Sequence, residues 1–277
     1  MQTLYIGPVA IKLSSSFELG GWLEPMRHYL QPSKISHSYS EWQFFVASRA
    51  ESPKNFSASH FEFKRRGLVF RANESERLAH VYTDGHEADF LAGLELIASL
   101  AVESLGGLSI HGAAAAVNGT GYLMPGISGT GKSTAMRNGG FERIVGDERI
   151  FLLPNADGWE MISTPFWSAG RAQVPARYSH QLNSVVHLQQ AKGFKLAALS
   201  TLNSLEWLMR SVVYYGTDLA RRDAQLERAV RLAEASSHFR LEFTKRGPWA
   251  WTLNQMHFNH LFTPFGQSIS QSIFIGI

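Results

Sequence analysis

Short apolar runs alternating with polar, turn-forming stretches open the chain. Leu4–Ile6, Val9–Leu13, Trp42–Ala47, Leu68–Phe70 and His80–Tyr82 are aromatic or aliphatic segments separated by Ser-, Pro-, Asn- and Gly-bearing turns. That texture predicts strands, with the polar stretches Gln31–Ser40 and Arg49–Ser59 as loops. From Glu87 the period changes. Phe90, Leu91, Leu94, Ala98, Ala101, Val102 and Leu105 recur at helical spacing until Gly106-Gly107, which predicts an amphipathic helix and the start of a second unit. The expected division is a small β-rich domain over 1–86 and an α/β domain over 87–277.

Beyond that helix, Ser109–Val117 reads as a strand of small apolar residues, Asn118-Gly119 as a hairpin turn and Tyr122–Met124 as the returning strand. A short helix is expected over Ser133–Asn138, stopped by Gly139-Gly140. Arg143–Val145 reads as a short strand that ends before Asp147-Glu148, and Ile150–Leu153 with Trp159–Ile162 as a hairpin. The last third carries a strand at Val185–Leu188, helical stretches near Leu196–Tyr215 and Leu219–Ala235, and a strand at Arg240–Phe243.

Composition narrows the classes. The 277 residues are 44% apolar and 18% charged, enough for a packed core. There is no cysteine, so disulfides and thiolate metal sites are excluded. Net charge is +3 and the basic residues are scattered, with Lys64-Arg65-Arg66 and Arg221-Arg222 the densest runs. Nucleic acid is therefore not an expected partner. The N-terminus lacks the pattern of a signal peptide, and no apolar run has membrane-spanning length, so the expectation is a cytoplasmic protein without a membrane partner.

The densest chemistry lies between the predicted hairpin and the short helix. Gly126-Ile127-Ser128-Gly129-Thr130-Gly131-Lys132-Ser133 is G-x-x-x-x-G-K-[ST], a pattern that cradles nucleotide phosphates. Average residue frequencies would place it in a chain of this length about one time in a hundred. Glycines let consecutive N–H groups turn inward as an anion nest, and the following helix adds its N-terminal partial charge. Lys132 would reach the β- and γ-phosphates and Ser133 would help hold Mg²⁺. Transfer also needs a group that takes the acceptor's proton. Asp147 and Glu148 follow fifteen and sixteen positions after Lys132. A helix of about seven residues climbs roughly 10 Å and a strand of three returns roughly 10 Å, which brings the acids back to the ligand-binding edge of the sheet. One acid would accept a hydroxyl proton and the other help hold the metal; a solvated turn is the plainer alternative.

Ser109-Ile110-His111-Gly112, Gly119-x-Gly121, the phosphate loop and Gly140-Phe141-x-Arg143-Ile144-Val145-Gly146-Asp147-Glu148-Arg149 together resemble the catalytic core of bacterial HPr serine kinase/phosphorylase. They resemble more closely the HPr-kinase-like proteins that phosphorylate ribosomally made peptides such as lasso-peptide precursors. The resemblance implies a P-loop kinase core of the HPr kinase/phosphoenolpyruvate carboxykinase type, built on a mixed sheet. It implies Mg²⁺-dependent transfer from ATP or GTP to a serine or threonine of a peptide or protein. The phosphate-binding roles fall on Gly126, Ser128, Gly129, Thr130, Gly131, Lys132, Ser133 and Thr134. Asp147 is the expected base, Glu148 with Ser133 the metal side, and His111 a further catalytic contact, although a histidine at a strand start also serves structure alone.

The second HPr kinase signature, Glu-x-Arg-Gly-Leu-Gly, is absent, so a kinase without phosphorylase activity is expected, acting on something other than HPr. In its place stands Thr164-Pro165-Phe166-Trp167-Ser168-Ala169-Gly170-Arg171; Arg171 or Arg177 would supply transition-state charge, or be ordinary surface arginines. HPr kinase is an oligomer, so the resemblance allows for a homo-oligomer. A small-molecule kinase, a non-catalytic nucleotide-binding scaffold and a motor-like NTPase stay open as alternatives. Trp249 and Trp251 read as packing more than as an acceptor groove, His257 and His260 as no metal site, and the charges of Asp218–Glu234 as a solvated helix face.

Overall fold

A computed structural model describes residues 2–32, 39–51, 61–65, 67–167, 178–215, 218–244 and 253. The molecule is α/β, with two mixed sheets. The first holds β1 (Gln2–Ile6), β2 (Val9–Ser15), β3 (Ser40–Ser48), β4 (Phe61–Arg65), β5 (Leu68–Asn73) and β6 (Leu78–Thr83) in the order β1-β2-β3-β6-β5-β4. β2, β3 and β6 run parallel to one another and the remaining pairs are antiparallel. Five of its six strands, β1, β2, β3, β5 and β6, alternate or bury the aromatic and aliphatic residues that predict them. β4 was not expected from the sequence, because three of the five residues of Phe61-Glu62-Phe63-Lys64-Arg65 are charged; it is held by full pairing with β5. The helical turns over Gly20–Tyr29, α1 (Gly20–Leu23) and a 3-10 segment, were not expected either.

α2 (Glu87–Ser104) corrects the amphipathic expectation. Phe90, Leu94, Leu96, Ile97, Ala98, Leu100, Ala101 and Val102 are all buried, and so are Asp89 and Glu103. A helix apolar on most sides must be covered on most sides, and α2 lies between the two sheets. Its side chains share one core with Trp42, Phe44 and Phe70 of the first sheet and with Phe151, Leu153, Ile162 and Phe166 of the second.

The second sheet holds β7 (Leu108–Val117), β8 (Thr120–Pro125), β9 (Arg143–Asn155), β10 (Gly158–Ile162), β11 (Ser179–Gln181), β12 (Ser184–Gln190), β13 (Lys195–Ala198) and β14 (Ser237–Phe243). Their order is β11-β10-β9-β7-β8-β12-β14-β13. The β7–β8 turn has Asn118 at φ 48° and Gly119 at φ 75°, the two left-handed residues that match the twist of a tight hairpin. β8 and β9 are both antiparallel to β7 and so run the same way on either side of it, while β12 and β14 are parallel to β8. α3 (Lys132–Asn138) sits over one face; α4 (Thr201–Met209) and α5 (Leu219–Ala235) cover the other.

Two further expectations change. Leu196–Ala198 is strand rather than helix, since β13 pairs with β14 before α4 begins at Thr201. α5 is not a simple solvated face: Arg221 is ion-paired with both Glu74 and Glu103, and Arg228 Nη1 donates to Gly107 O at 3.1 Å. Together with Tyr29 OH donating to Ser163 Oγ at 3.3 Å, these contacts tie the first sheet and α2 to the second sheet's layers. Among the described residues no helix is long and apolar enough to cross a membrane.

Candidate functional site

Gly126–Gly131 leaves the end of β8 and turns into α3. Gly129 (φ 88°) and Gly131 (φ 99°) occupy the left-handed region that only glycine enters without strain. Gly126 N donates to His111 O at 3.1 Å, anchoring the loop to β7. Thr130 Oγ1 donates to Ile127 O at 3.0 Å, and Lys132 Nζ donates to Gly126 O at 2.6 Å and Ile127 O at 3.0 Å. The N–H groups of Ser128, Gly129 and Gly131 have no acceptor among the described residues. The loop is thus closed by its carbonyls and keeps a set of amide donors open, which is the condition for holding an anion. Thr134 is half-buried in the first turn of α3.

The acids occupy a different local structure from the one expected. β9 does not end at Val145; it continues through Asp147 and Glu148 to Asn155, with an irregularity of register opposite Ala114/Ala115. Gly146 reads as a strand stop but lies at a bulge, and bulges re-aim the side chains that follow. Glu148 pairs with Gly112, level with Pro125 at the end of the β7–β8 hairpin, and Asp147 pairs with Ala113, one rung further in. Both acids therefore lie beside the root of the loop.

Their partners differ from the expected division. Asp147 is 1% exposed, and its Oδ1 accepts from Ser133 Oγ at 3.5 Å. Glu148 is 41% exposed at its side chain, and its Oε1 lies 3.3 Å from His111 Nε2. It is Asp147, rather than Glu148, that sits with the Ser133 hydroxyl, because the bulge turns Asp147 toward α3. Glu148 also pairs through its backbone with Trp167. The segment carrying Trp167 is pinned to β9 by Thr164 Oγ1 donating to Arg149 O and by Trp167 Nε1 donating to Thr164 O, each at 2.7 Å.

Electrostatics bind the group together. Burial holds the Lys132 ammonium below the ordinary lysine pKa, and the charges of Glu148 and Asp147 offset part of that cost. Burial, then the Lys132 charge, push His111 below the usual histidine value, with Glu148 acting the other way. His111 is therefore a neutral imidazole at pH 7, able to donate from Nε2 to the Glu148 carboxylate. Beside it, Arg149 is ion-paired with Glu95 of α2, and Tyr215 OH donates to the same Glu95 oxygen at 2.5 Å.

The structure brings Lys132, Ser133, Asp147, Glu148 and His111 together at one loop. Arg171, Arg177, Trp249, Trp251, His257 and His260 lie outside the described residues. Two contributors escape a sequence reading: the Ser211–Val213 segment, which extends β7's pairing through His111 N donating to Ser211 O at 2.7 Å, and Gln190, whose Nε2 donates to Gly129 O at 2.9 Å. Both act across long stretches of chain, so no local pattern marks them.

Among the described residues no cluster of three or more His, Asp or Glu could hold a metal by itself. Ser133 and Asp147 instead offer two hard oxygens 3.5 Å apart. That suits Mg²⁺, which is bound through one or two protein oxygens and completes its shell with water and phosphate.

No curated protein matches the chain. Residues 92–256, more than half of its length, match the family described as SynChlorMet cassette protein ScmC. The matched stretch includes most of α2, the glycine loop and both acids, and the chain belongs to the SynChlorMet cassette protein ScmC family.

Proposed function

We propose that the chain is a Mg²⁺-dependent kinase with an HPr-kinase-like P-loop core, moving the γ-phosphoryl group of ATP or GTP to a serine or threonine hydroxyl of a peptide or protein. One observation carries the reading: a glycine loop with open amides, a buried lysine and two consecutive acids meet within contact distance through Ser133 and His111.

In this reading the loop amides bind the phosphates, and Lys132 exchanges the carbonyls of Gly126 and Ile127 for β- and γ-oxygens. Ser133 and Asp147 would hold Mg²⁺, and the ion would supply neutralisation of phosphate charge there. Glu148 is the base, because it is the acid that an incoming acceptor can touch; Asp147 is enclosed. The acceptor hydroxyl gives its proton to Glu148, its oxygen bonds to the γ-phosphorus, and the bond to the β,γ-bridging oxygen breaks to release the nucleoside diphosphate. His111 orients the Glu148 carboxylate.

The test is incubation with γ-labelled ATP, Mg²⁺ and a library of serine- and threonine-bearing peptides. Label on peptide hydroxyls is expected. Label only on small metabolites would favour a small-molecule kinase, and tight binding with no transfer would favour a nucleotide-binding scaffold.

A further inference from the structure

We propose that Gln190 is a positioning residue of the glycine loop, holding it in its anion-binding shape when Lys132 turns to the phosphates. The inference rests on the nucleotide reading of that loop.

Most ties that shape the loop are internal to it. Lys132 Nζ bonds to Gly126 O and Ile127 O, and Thr130 Oγ1 to Ile127 O. The lysine bonds are lost once the ammonium engages phosphate oxygens. The tip carbonyl, Gly129 O, is held from outside: Gln190 Nε2 donates to it at 2.9 Å from 61 residues away in sequence. Gln190 closes β12, where it pairs in register with Phe243 of β14. Phe243 lies under the other left-handed glycine, since a Cβ added at Gly131 would fall 2.6 Å from the Phe243 ring. One register pair at the ends of two parallel strands therefore supports both left-handed points of the loop.

The chemistry of the contact matters more than its bulk. Glycine peptides flip cheaply because both hands of φ are open to them. A flip of the Gly129–Thr130 peptide would break the bond that Thr130 N donates to Ile127 O at 3.4 Å and so undo the turn that presents the open amides of Ser128, Gly129 and Gly131. A carboxamide N–H on Gly129 O opposes that flip. Glutamate has the same shape but no donor, and would set a carboxylate against the carbonyl.

The experiment compares wild type, Gln190→Ala and Gln190→Glu in two ways: backbone NMR order parameters of residues 127–131 in protein saturated with ATP and Mg²⁺, the state in which Lys132 has left the loop carbonyls, and ATP affinity by calorimetry with Mg²⁺. In wild type the loop should show values near the rigid range, about 0.85. Both variants should fall toward the flexible range, below about 0.6. ATP affinity should drop about fivefold in Gln190→Ala, as for one lost hydrogen bond, and further in Gln190→Glu. Melting temperatures of the three proteins should agree, since Gln190 is exposed. Wild-type order parameters in Gln190→Ala, or in the isosteric Gln190→Glu, would overturn the role of the carboxamide. Absence of ATP binding by wild type would instead contradict the nucleotide reading.

Discussion

The carboxylate of Asp147 lies 3.5 Å from the hydroxyl of Ser133, although the rest of α3 and the start of β9 separate the two in sequence. The acid next to it, Glu148, meets His111 instead. Two consecutive carboxylates thus have separate partners and separate exposure, and the proposed mechanism gives them separate tasks.

Removing each acid should therefore fail differently. Asp147→Asn should raise the Mg²⁺ concentration needed for half-maximal transfer by about tenfold or more, as expected when one of two hard-oxygen ligands loses its charge. Glu148→Gln should leave that concentration unchanged and lower the transfer rate by about 10² or more. Steady-state rates over a Mg²⁺ titration check both. The opposite assignment of the two effects would make Asp147 the base.

His111 should matter mainly below its ordinary titration range. Its pKa is lowered, so the imidazole is neutral at pH 7 and above. Acidification protonates it beside Glu148 and locks the carboxylate in an ion pair. Wild type should lose transfer as pH falls below about 6.5, and His111→Gln should lose less over the same interval. Coincident pH–rate profiles would remove His111 from the site.

Two buried groups set opposing pH dependences of stability. Burial raises Glu103 to about 7. Its folded pKa lies above the unfolded one, so its contribution is complete below about 4.5 and is lost as pH rises through 7. Burial and the charge of His238 push His187 down to about 4. Its folded pKa is depressed, so its contribution is complete above about 6.5 and is lost as pH falls through 4. Each is on the order of 3 kcal/mol, and they cancel between about pH 4.5 and 6.5. Glu103→Gln should expose the histidine slope alone, with stability rising with pH across that window. Denaturant midpoints from pH 4 to 8 check it.

His187 also closes a directional chain. His238 Nε2 donates to Ala233 O at 2.6 Å, so its Nδ1 accepts from Ser204 Oγ at 2.6 Å, and Ser204 accepts from His187 Nε2 at 2.7 Å. Ser204 and His187 are fully buried. Ser204→Ala strands a donor and an acceptor and should cost about 2–6 kcal/mol, at about 1–3 for each unsatisfied group. Equilibrium unfolding measures it, and a loss under 1 kcal/mol would mean the chain can re-pair.

How far the sequence reaches depends on the range of the forces involved. Asn118-Gly119, the glycine loop and the α5 boundaries are local, set by φ preferences and periodicity, and the structure has them where the residues predict. Leu196–Ala198 misled because its neighbours are helical in pattern while pairing with β14 decides its state. Gly146 misled because a glycine marks a strand end and a bulge equally well, and only β7's continued pairing distinguishes them. The polar ties were the least legible: Gln190 to Gly129 and Arg221 to Glu74 join residues far apart in the chain, and neither residue type announces a long-range partner.

The most direct measurement is titration calorimetry of ATP into wild type and Lys132→Ala, with and without Mg²⁺. If the lysine and the two acids share a phosphate pocket, wild type binds ATP and Mg²⁺ strengthens the binding. Lys132→Ala should then weaken it by about tenfold or more, the loss expected of a charge-assisted hydrogen bond. No heat of binding in wild type, or equal affinity in Lys132→Ala, would contradict the account.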